Sequence, residues 1–181
     1  METDNTHSDN DVLFRKPSLD DGYAIYSLIE NSPPLDVNSS YLYFLQSDHF
    51  SDTCVVAEKQ GKIVGFISAF FNPKDKTDLF VWQVAVDASM RGQGLALRLL
   101  EQLVRNQSDN SDFARITATI SPSNIASQKL FKRFSETHGL SIDKETYLEA
   151  KHFGDQGHEA EELYTLKSPD SQPFKHILFK H

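Results

Sequence analysis

The sequence predicts an α/β fold in which one mixed β-sheet lies between layers of helices. Segments with the two-residue periodicity of strands alternate with segments of helical periodicity, in the order β-α-(α)-β-β-β-α-β-α-β-β. The chain has 181 residues, of which 39% are hydrophobic, and this length and composition suit one globular domain with a real core. We find no internal repeat and no internal linker, so a single domain is expected.

The first elements are a tail, a strand and two helices. Residues 1–11 are polar and predict a flexible tail, and residues 12–15 predict a short strand. Ser18 has the position of a helix N-cap, and the proline pair 33–34 ends that helix because proline cannot continue it. An aromatic-rich stretch at residues 39–46 predicts a second, shorter helix.

A group of three strands follows. Residues 53–58 and 63–71 predict a hairpin, because a polar turn with a glycine, residues 59–62, separates two β-branched and apolar runs. Residues 72–78 are polar and predict a loop. Residues 79–86 are apolar on both faces, which is typical of a strand in the centre of a sheet.

The second half of the chain alternates helices and strands. From Gly94 the periodicity changes to that of a helix, which ends near Asn106. Another helix begins at residues 121–124 and stops at Gly139. Further strands are predicted at residues 115–120, 146–153 and 162–166. The predicted domain therefore spans residues 12–167, and residues 168–181 form a C-terminal extension without an assigned role.

Charge and cysteine content exclude several classes of protein. The net charge of −8 at pH 7 argues against nucleic acid and acidic membranes as partners and fits a cationic substrate. Cys54 is the single cysteine, and the N-terminus lacks the pattern of a signal peptide, so a cytoplasmic protein is expected. No metal site is expected, because His158-Glu159 lacks the second histidine of a zinc-binding helix.

A glycine-containing loop lies between the central strand pattern and the next helix pattern. Gly92 and Gly94 allow close approach of a ligand, and the helix start offers unpaired N–H groups, an arrangement that suits a diphosphate. A Walker loop would need Gly-Lys-Ser/Thr, and a dinucleotide fingerprint would need glycine where Leu97 stands. The pattern that fits is Arg/Gln-x-x-Gly-x-Gly/Ala, with Arg91 at its first position and Ala96 at its last.

This pattern resembles the diphosphate loop of the GCN5-related N-acetyltransferase (GNAT) superfamily. A second superfamily motif follows the strand 115–120, at Asn124, Ala126, Leu130 and Phe131. The resemblance implies the GNAT fold, acetyl-CoA as cosubstrate and direct attack by an amine, with a main-chain N–H of the central strand end as oxyanion donor. The cofactor-binding residues that it implies are Val84, Ala85, Val86, Arg91, Gly92, Gln93, Gly94, Leu95, Ala96, Asn124 and Ser127.

Longer stretches resemble one family within that superfamily, the L-2,4-diaminobutyrate acetyltransferases of ectoine biosynthesis. The resemblance covers residues 14–166, and its most particular parts are Pro-Pro-Leu-Asp-x-Asn-Ser at residues 33–39 and Phe-Val-Trp-Gln-Val-Ala-Val at residues 80–86. It implies acetylation of the 4-amino group of L-2,4-diaminobutyrate, which gives N4-acetyl-L-2,4-diaminobutyrate. It also implies a role in osmoprotection and a homodimer.

The resemblance implies anionic and aromatic residues around the substrate, which carries two ammonium groups and one carboxylate. The residues that it implies for catalysis and substrate binding are Asp36, Tyr41, Trp82 and Glu161, with Glu159 as a further binding candidate. Glu161 is preferred because it fits the His-x-x-Glu spacing from His158. In the alternative interpretation, Asp36 caps the following turn, Trp82 is an ordinary core residue, and the glutamates form a solvated face.

One departure from the superfamily pattern concerns the proton donor. Many superfamily enzymes carry a tyrosine acid at the position of Phe131. The thiolate proton is therefore expected from Tyr41, from water or from the substrate ammonium, while Cys54 is expected in the core rather than as a nucleophile. The competing hypotheses are an acetyltransferase for another small amine and a non-catalytic acyl-CoA sensor, which the missing tyrosine favours.

Overall fold

The structure is a computed structural model that describes residues 12–108, 112–154 and 157–176. The predicted tail at residues 1–11 and the apolar run at residues 177–179 lie outside the described residues. Within them, seven strands form one sheet in the order β1-β2-β3-β4-β5-β7-β6. The strands are β1 Leu13–Arg15, β2 Cys54–Lys59, β3 Lys62–Asn72, β4 Asp75–Val86, β5 Arg115–Ile120, β6 Ser141–Leu148 and β7 Glu161–Lys167. Only β4 and β5 pair in parallel, so the sheet is mixed, as predicted.

Helices cover both faces of this sheet. They are α1 Gly22–Glu30, α2 Ser40–Ser47, α3 Leu95–Ser108 and α4 Ile125–His138. Alternate residues of β2 show the two faces: Val55 packs into the buried cluster with α3 and α4, whereas Val56 packs into the cluster with α1 and α2. None of the described helices is long and apolar enough to cross a membrane. The predicted α/β architecture is therefore confirmed.

Two helix starts follow the signals that the sequence carries. Ser18 and Asp21 form a capping box ahead of α1. Arg15 of β1 donates to both oxygens of Asp21, at 2.7 and 2.8 Å, and chiefly these bonds lower the pKa of Asp21 to about 2. At α4, the Oδ1 atom of Asn124 accepts the N–H of Ser127 at 3.1 Å, and this bond fixes the first turn of the helix.

Two boundaries differ from the sequence prediction. β4 begins at Asp75 and not at residue 79, because Asp75 pairs with Asn72 of β3 and Asp78 pairs with Arg115 of β5. Asp75 also forms an ion pair with Arg115. The strand predicted at residues 146–153 lies earlier, at β6, and Ala150–Phe153 forms a 3₁₀ turn. β6 is exposed over nearly its whole length, so its sequence carries no apolar signal that would mark its start.

The parallel strands β4 and β5 separate toward their carboxyl ends. Their paired residues end at Phe80 and Thr117, and beyond these the described residues of the two strands form no further pairs. α3 follows the end of β4, and α4 follows the end of β5. Ligands of open α/β sheets bind in the crevice outside the carboxyl ends of the strands. The fold therefore places a cleft between β4 and β5, with the starts of α3 and α4 at its edge.

A β-bulge interrupts β4 beside this cleft. Two consecutive residues of β3 lie opposite Gln83 and Val81, so Trp82 has no opposite residue. Val81 packs into the cluster with α3 and α4, and beyond the bulge Val84 packs against the same cluster. Before the bulge the odd-numbered residues face this cluster, and after it the even-numbered residues do. Trp82 is left 46% exposed, with its ring edge-on to Phe70 at 6.4 Å. Bulges commonly redirect side chains next to active sites.

Candidate functional site

A cavity of about 370 Å³ occupies the cleft where β4 and β5 separate. The end of β4, the glycine loop, the first turn of α3, the start of α4 and the proline loop after α1 form its walls. Of the predicted cofactor-binding residues, it is lined by Val84, Ala85, Val86, Arg91, Gly92, Gly94, Leu95, Ala96, Asn124 and Ser127. The remaining one, Gln93, is directed elsewhere, because its Nε2 donates to the carbonyl of Ser89 at 3.0 Å.

The glycine loop has the backbone that an anion requires. Gly92 and Gly94 both have φ of +75°, a left-handed conformation that side chains disfavour. A Cβ atom at Gly94 would meet nothing within 4 Å, so the backbone angle and not a lack of space requires glycine there. Left-handed residues turn successive N–H groups into an anion-binding concavity, and the first turn of α3 adds its own N–H groups. The loop therefore fits a diphosphate.

Gly65 of β3 sets the position of α3. A Cβ atom there would lie 2.9 Å from Cδ1 of Leu99 and 3.4 Å from Cδ2 of Leu95 on that helix, and 3.2 Å from the Cβ of Ala57. α3 packs against β3 through this close approach. Since Leu95 is also the first residue of α3 and lines the cleft, the packing at Gly65 fixes where the N–H groups of the helix start lie.

A second cavity of about 230 Å³ adjoins the first. Pro34, Leu35, Val84, Asn124 and Ser127 line both cavities, so the two meet at the end of β4 and the start of α4. The polar side chains of the second cavity include Asp36, Asn38, Gln83, Ser121, His158 and Glu161. A molecule in the second cavity therefore lies next to whatever the cleft holds.

The structure separates the predicted substrate residues into two groups. Asp36, Trp82 and Glu161 line the second cavity. Tyr41 on α2 is 67% exposed and is not among the described residues that line either cavity. The Oε2 atom of Glu159 accepts the N–H of Ser123 at 3.1 Å, which directs this carboxylate away from the cavity. Of the two glutamates, Glu161 thus faces the cavity.

His158 is a component of the site that the sequence did not reveal as such. Its Nε2 lies 3.1 Å from Oδ2 of Asp36, and its Nδ1 lies 2.8 Å from the carbonyl oxygen of Glu159. Because a carboxylate and a carbonyl only accept, the ring satisfies both acceptors at once when it is an imidazolium. The Glu159 carbonyl chiefly, and then Asp36, raise the pKa of His158. The ring also stacks on Phe153, with 4.0 Å between centroids.

The surroundings of Glu161 change the ionisation of its carboxyl. Burial raises the pKa of its carboxyl above the ordinary value, the positive charge of His158 opposes that increase, and the charge of Asp36 adds to it. A carboxylate with a raised pKa at the wall of a cavity is a stronger base than an ordinary glutamate and is suited to accept a proton from a bound ligand. The arrangement can therefore bind a cationic amine and remove a proton from it.

Asp36 is held at its side chain and at its main chain. Its carboxylate pairs with His158, and its carbonyl accepts the Nε2–H of Gln83 at 2.8 Å. The cap of α2 is the side chain of Ser39, which accepts the N–H of Tyr41 at 3.4 Å. The carboxylate of Asp36 therefore does not serve as that cap and points to the second cavity.

Three further residues take positions that bear on chemistry. Trp82 is half exposed, so it is not an ordinary core residue. Cys54 is buried, and burial raises the pKa of its thiol to about 12, as expected for a core cysteine. Phe131 is buried and lines the second cavity, so this wall carries a ring without a hydroxyl.

Among the described residues, no group of His, Cys, Asp and Glu is placed to hold a metal ion.

Comparisons with known proteins agree with this geometry. Residues 22–135 match the profile of the Acetyltransferase (GNAT) family. The chain is 43% identical over 154 residues to the L-2,4-diaminobutyric acid acetyltransferase of Vibrio parahaemolyticus serotype O3:K6, covering 85% of this chain and 84% of that one. It is 41% identical over 170 residues to the enzyme of the same name from Marinococcus halophilus, covering 92% and 97%.

A solved structure is similar over the same extent. Diaminobutyrate acetyltransferase EctA from Paenibacillus lautus, in complex with its substrate L-2,4-diaminobutyric acid and coenzyme A, superimposes with a TM-score of 0.83 at 40% identity. The superposition covers 87% of this chain and 95% of that one. The chain therefore belongs to the GNAT acetyltransferase family and, within it, to the family of the L-2,4-diaminobutyric acid acetyltransferases.

Proposed function

We propose that this enzyme transfers the acetyl group of acetyl-CoA to the 4-amino group of L-2,4-diaminobutyrate, which yields N4-acetyl-L-2,4-diaminobutyrate in ectoine biosynthesis. One observation carries the proposal: an anionic cavity with Asp36 and Glu161 adjoins a cleft built for a diphosphate. The names of the relatives and the two ligands of the Paenibacillus lautus structure support the same assignment.

Acetyl-CoA supplies an acetyl group already activated as a thioester, and the cleft has the features to hold it. The loop around Gly92 and Gly94 would bind the diphosphate through N–H groups, with Arg91 beside it as a counter-charge. The guanidinium of Arg91 lies against the carbonyl of Val86, at 3.4 Å from Nε, which keeps its charge at this end of the cleft. β4 has no partner strand beyond Phe80 on its β5 side in the described structure, so its main chain can bond an extended pantetheine arm.

The second cavity would bind the diamine. Asp36 and Glu161 provide negative charge for two ammonium groups, and the indole of Trp82 offers a ring face to a cation. Asn38 and Ser121 add neutral polar groups to the same wall. This lining suits a small polar cation better than a long apolar amine.

Glu161 would act as the general base. The 4-ammonium group loses two protons when it becomes an amide nitrogen: Glu161 accepts one before attack, and the leaving thiolate takes the other. The wall residue Phe131 has no hydroxyl, and Tyr41 lies outside both cavity linings within the described residues, so the attacking nitrogen would supply the proton of the thiolate directly or through a water. A main-chain N–H of β4 near Val86 would polarise the thioester carbonyl.

We also propose that residues 12–167 form one acetyltransferase domain, that the enzyme is a cytoplasmic homodimer, and that its product serves osmoprotection. The exposed edge strand β6 supports self-association, since an unpaired strand edge offers main-chain groups to a partner. Light scattering on the purified protein should give twice the chain mass of 20.5 kDa. A mass of one chain at micromolar concentration would contradict the dimer.

A direct assay separates the candidate functions. Purified enzyme is mixed with acetyl-CoA and with L-2,4-diaminobutyrate, lysine, ornithine or spermidine, and free thiol is followed over time. We expect fastest release with L-2,4-diaminobutyrate, and NMR of the product should place the acetyl group on N4. Faster release with a polyamine would assign the enzyme to another small amine. No release with any amine, together with coenzyme A binding, would assign it to the acyl-CoA sensors.

A further inference from the structure

A short turn joins the end of β4 to the glycine loop. Asp87 follows β4, a 3₁₀ turn spans Ala88–Met90, and the glycine loop, residues 91–94, leads into α3 at Leu95. Met90 and Leu95 are buried and hold the two ends of the loop in the core. Two of the four loop residues are glycines, which restrict the backbone least. The loop therefore needs further contacts to keep its N–H groups in one arrangement.

The carboxylate of Asp87 organises the turn before the loop. Its Oδ1 atom accepts the N–H of Ser89 at 3.0 Å and the hydroxyl of Ser89 at 2.7 Å. The main chain of Asp87 is bonded as well: its N–H donates to the carbonyl of Val64 on β3, and its carbonyl accepts the N–H of Met90, both at 2.9 Å. Asp87 thus connects the turn to the sheet.

Gln93 connects this turn to the glycine loop. It lies between Gly92 and Gly94, and its Nε2 donates to the carbonyl of Ser89 at 3.0 Å. Ser89 therefore bonds Asp87 through its N–H and hydroxyl, and Gln93 through its carbonyl. These bonds form a series from the carboxylate to the middle of the loop. We call Asp87, Ser89 and Gln93 the loop clamp.

We propose that Asp87 is a positioning residue for acetyl-CoA, which acts through the loop clamp. Asp87 holds Ser89, Ser89 holds Gln93, and the N–H groups of the loop converge before the diphosphate binds. Preorganised groups bind more tightly, because less conformational freedom is lost on binding. The clamp residues are not among the described residues that line the cleft, so they act through the loop and not by contact with the ligand. The inference rests on the proposed function in that acetyl-CoA is the cosubstrate.

Lys62 keeps the carboxylate of the clamp ionised. Its Nζ donates to Oδ2 of Asp87 at 2.7 Å, and this bond chiefly, followed by the bonds from Ser89, lowers the pKa of Asp87 to about 2. Asp87 is therefore an ionised acceptor throughout the neutral range of pH. Lys62 also offsets a negative charge that precedes a loop suited to an anion.

The first test compares acetyl-CoA with S-acetylpantetheine, which has the same thioester and no diphosphate. Asp87→Ala removes the acceptor of Ser89, and we expect kcat/KM for acetyl-CoA to fall about 2- to 30-fold, the factor for loss of an N-cap side chain. The value for S-acetylpantetheine should not change. Asp87→Asn retains an oxygen that can accept both bonds and should stay close to the wild type. An equal fall with both thioesters in folded Asp87→Ala would overturn the inference.

Asp75→Ala is the matched control. The Oδ1 atom of Asp75 accepts the N–H and the hydroxyl of Thr77 at 2.9 and 2.6 Å, and Arg115 pairs with Asp75 as Lys62 pairs with Asp87. Asp75 lies at the start of β4, outside the described linings of both cavities. This variant should keep the wild-type ratio of the two kcat/KM values. The same change of ratio as in Asp87→Ala would speak against a specific role of the clamp.

Gln93→Leu tests the other end of the clamp, at an exposed side chain whose replacement leaves the core intact. Calorimetry should show coenzyme A bound about 2- to 12-fold more weakly, the factor for one hydrogen bond. The double variant Asp87→Ala/Gln93→Leu should bind coenzyme A about as weakly as Asp87→Ala alone, because both changes break one series of bonds. Effects that multiply as if independent would contradict a shared clamp.

NMR of the ligand-free protein tests the clamp without any ligand or activity. The order parameters of the N–H groups of Gly92 and Gly94 should fall in Asp87→Ala and in Gln93→Leu, and should keep their wild-type values in Asp75→Ala. Unchanged order parameters in both clamp variants would overturn the inference. A wild-type enzyme that acetylates no amine would contradict the proposed function instead, and the order parameters and the coenzyme A affinities would still decide the role of Asp87.

Discussion

The side-chain amide of Gln83 donates to the main-chain carbonyl of Asp36 across 2.8 Å, and this bond ties the central strand β4 to the loop after α1. Gln83 is 7% exposed, so the bond is shielded from water. The same loop contributes Pro34 and Leu35 to both cavities. Gln83 therefore positions the carboxylate of Asp36 through its main chain, although that carboxylate itself bonds His158.

Gln83→Leu removes this bond and keeps most of the buried volume. The loss of one shielded hydrogen bond corresponds to about 0.5–1.5 kcal/mol, or about a 2- to 12-fold effect on binding. We expect the KM for L-2,4-diaminobutyrate to rise by that factor and the KM for acetyl-CoA to change little. Gln102→Leu is the control, because its amide bonds Asn106 within α3. An equal rise in both KM values would show that Gln83 supports the fold in general and does not position Asp36.

Gly94→Ala tests the diphosphate loop. The left-handed φ of +75° disfavours a side chain by about 1–2 kcal/mol, so the loop should leave the conformation in which its N–H groups converge. We expect coenzyme A to bind about 5- to 30-fold more weakly by calorimetry. Gly61→Ala is a matched control, since Gly61 has φ of +74°, equally open space and a position in the β2–β3 turn. Equal coenzyme A affinity in the two variants would remove the loop from the binding site.

Gly65→Ala tests whether β3 sets the position of α3. The added Cβ would lie 2.9 Å from Cδ1 of Leu99, so the Leu99 side chain or the helix that carries it must shift, and overpacking of this kind costs about 1–3 kcal/mol of stability. We expect a higher KM for acetyl-CoA, because the start of α3 moves with the helix. Gly22→Ala introduces a similar clash, 2.5 Å from Phe44, in the contact between α1 and α2. Both variants should unfold at lower urea concentration, but only Gly65→Ala should raise the KM for acetyl-CoA.

The sequence predicts the elements whose signals are local. The change of periodicity at Gly94 and the αL stop at Gly139 both mark helix ends that the structure has. Asp75 is polar, but it belongs to a strand and bonds Arg115 of the neighbouring strand. The sequence did not predict this, because the two residues are 40 positions apart along the chain. The pair of His158 and Asp36 spans 122 residues. Such contacts depend on the folded topology, and no spacing within a single segment of the sequence reports them.

Within the site, the bulge at Trp82 and the different roles of the two glutamates also depend on contacts that the sequence does not predict. The apolar run of β4 predicts a strand that is buried on both faces. The register against β3 decides that Trp82 is the bulged residue, which has no partner on β3. Glu159 and Glu161 are two positions apart in the chain, and their different surroundings decide which one meets the cavity. Resemblance to a family supplied Glu161 as a candidate, whereas the raised pKa of its carboxyl follows from burial.

Glu161→Gln tests the general base through the pH dependence of kcat. The carboxyl accepts a proton only when ionised, so activity is present above its pKa and is lost as the pH falls through it. Because burial raises that pKa, the acid limb of the profile should lie above the ordinary glutamate value of 4.5. Glu161→Gln should lower kcat by about 10²- to 10⁴-fold and abolish this limb.

Glu159→Gln is the matched control for this variant, because Glu159 lies two positions away and bonds the N–H of Ser123 instead of facing the cavity. It should keep kcat and the acid limb, while coenzyme A binding by calorimetry should stay unchanged in both variants. If Glu161→Gln retained the acid limb and Glu159→Gln lost it, the base would be Glu159. That result would require the segment at residues 157–160 to rearrange when substrate binds, since the Ser123 bond directs the Glu159 carboxylate away from the cavity.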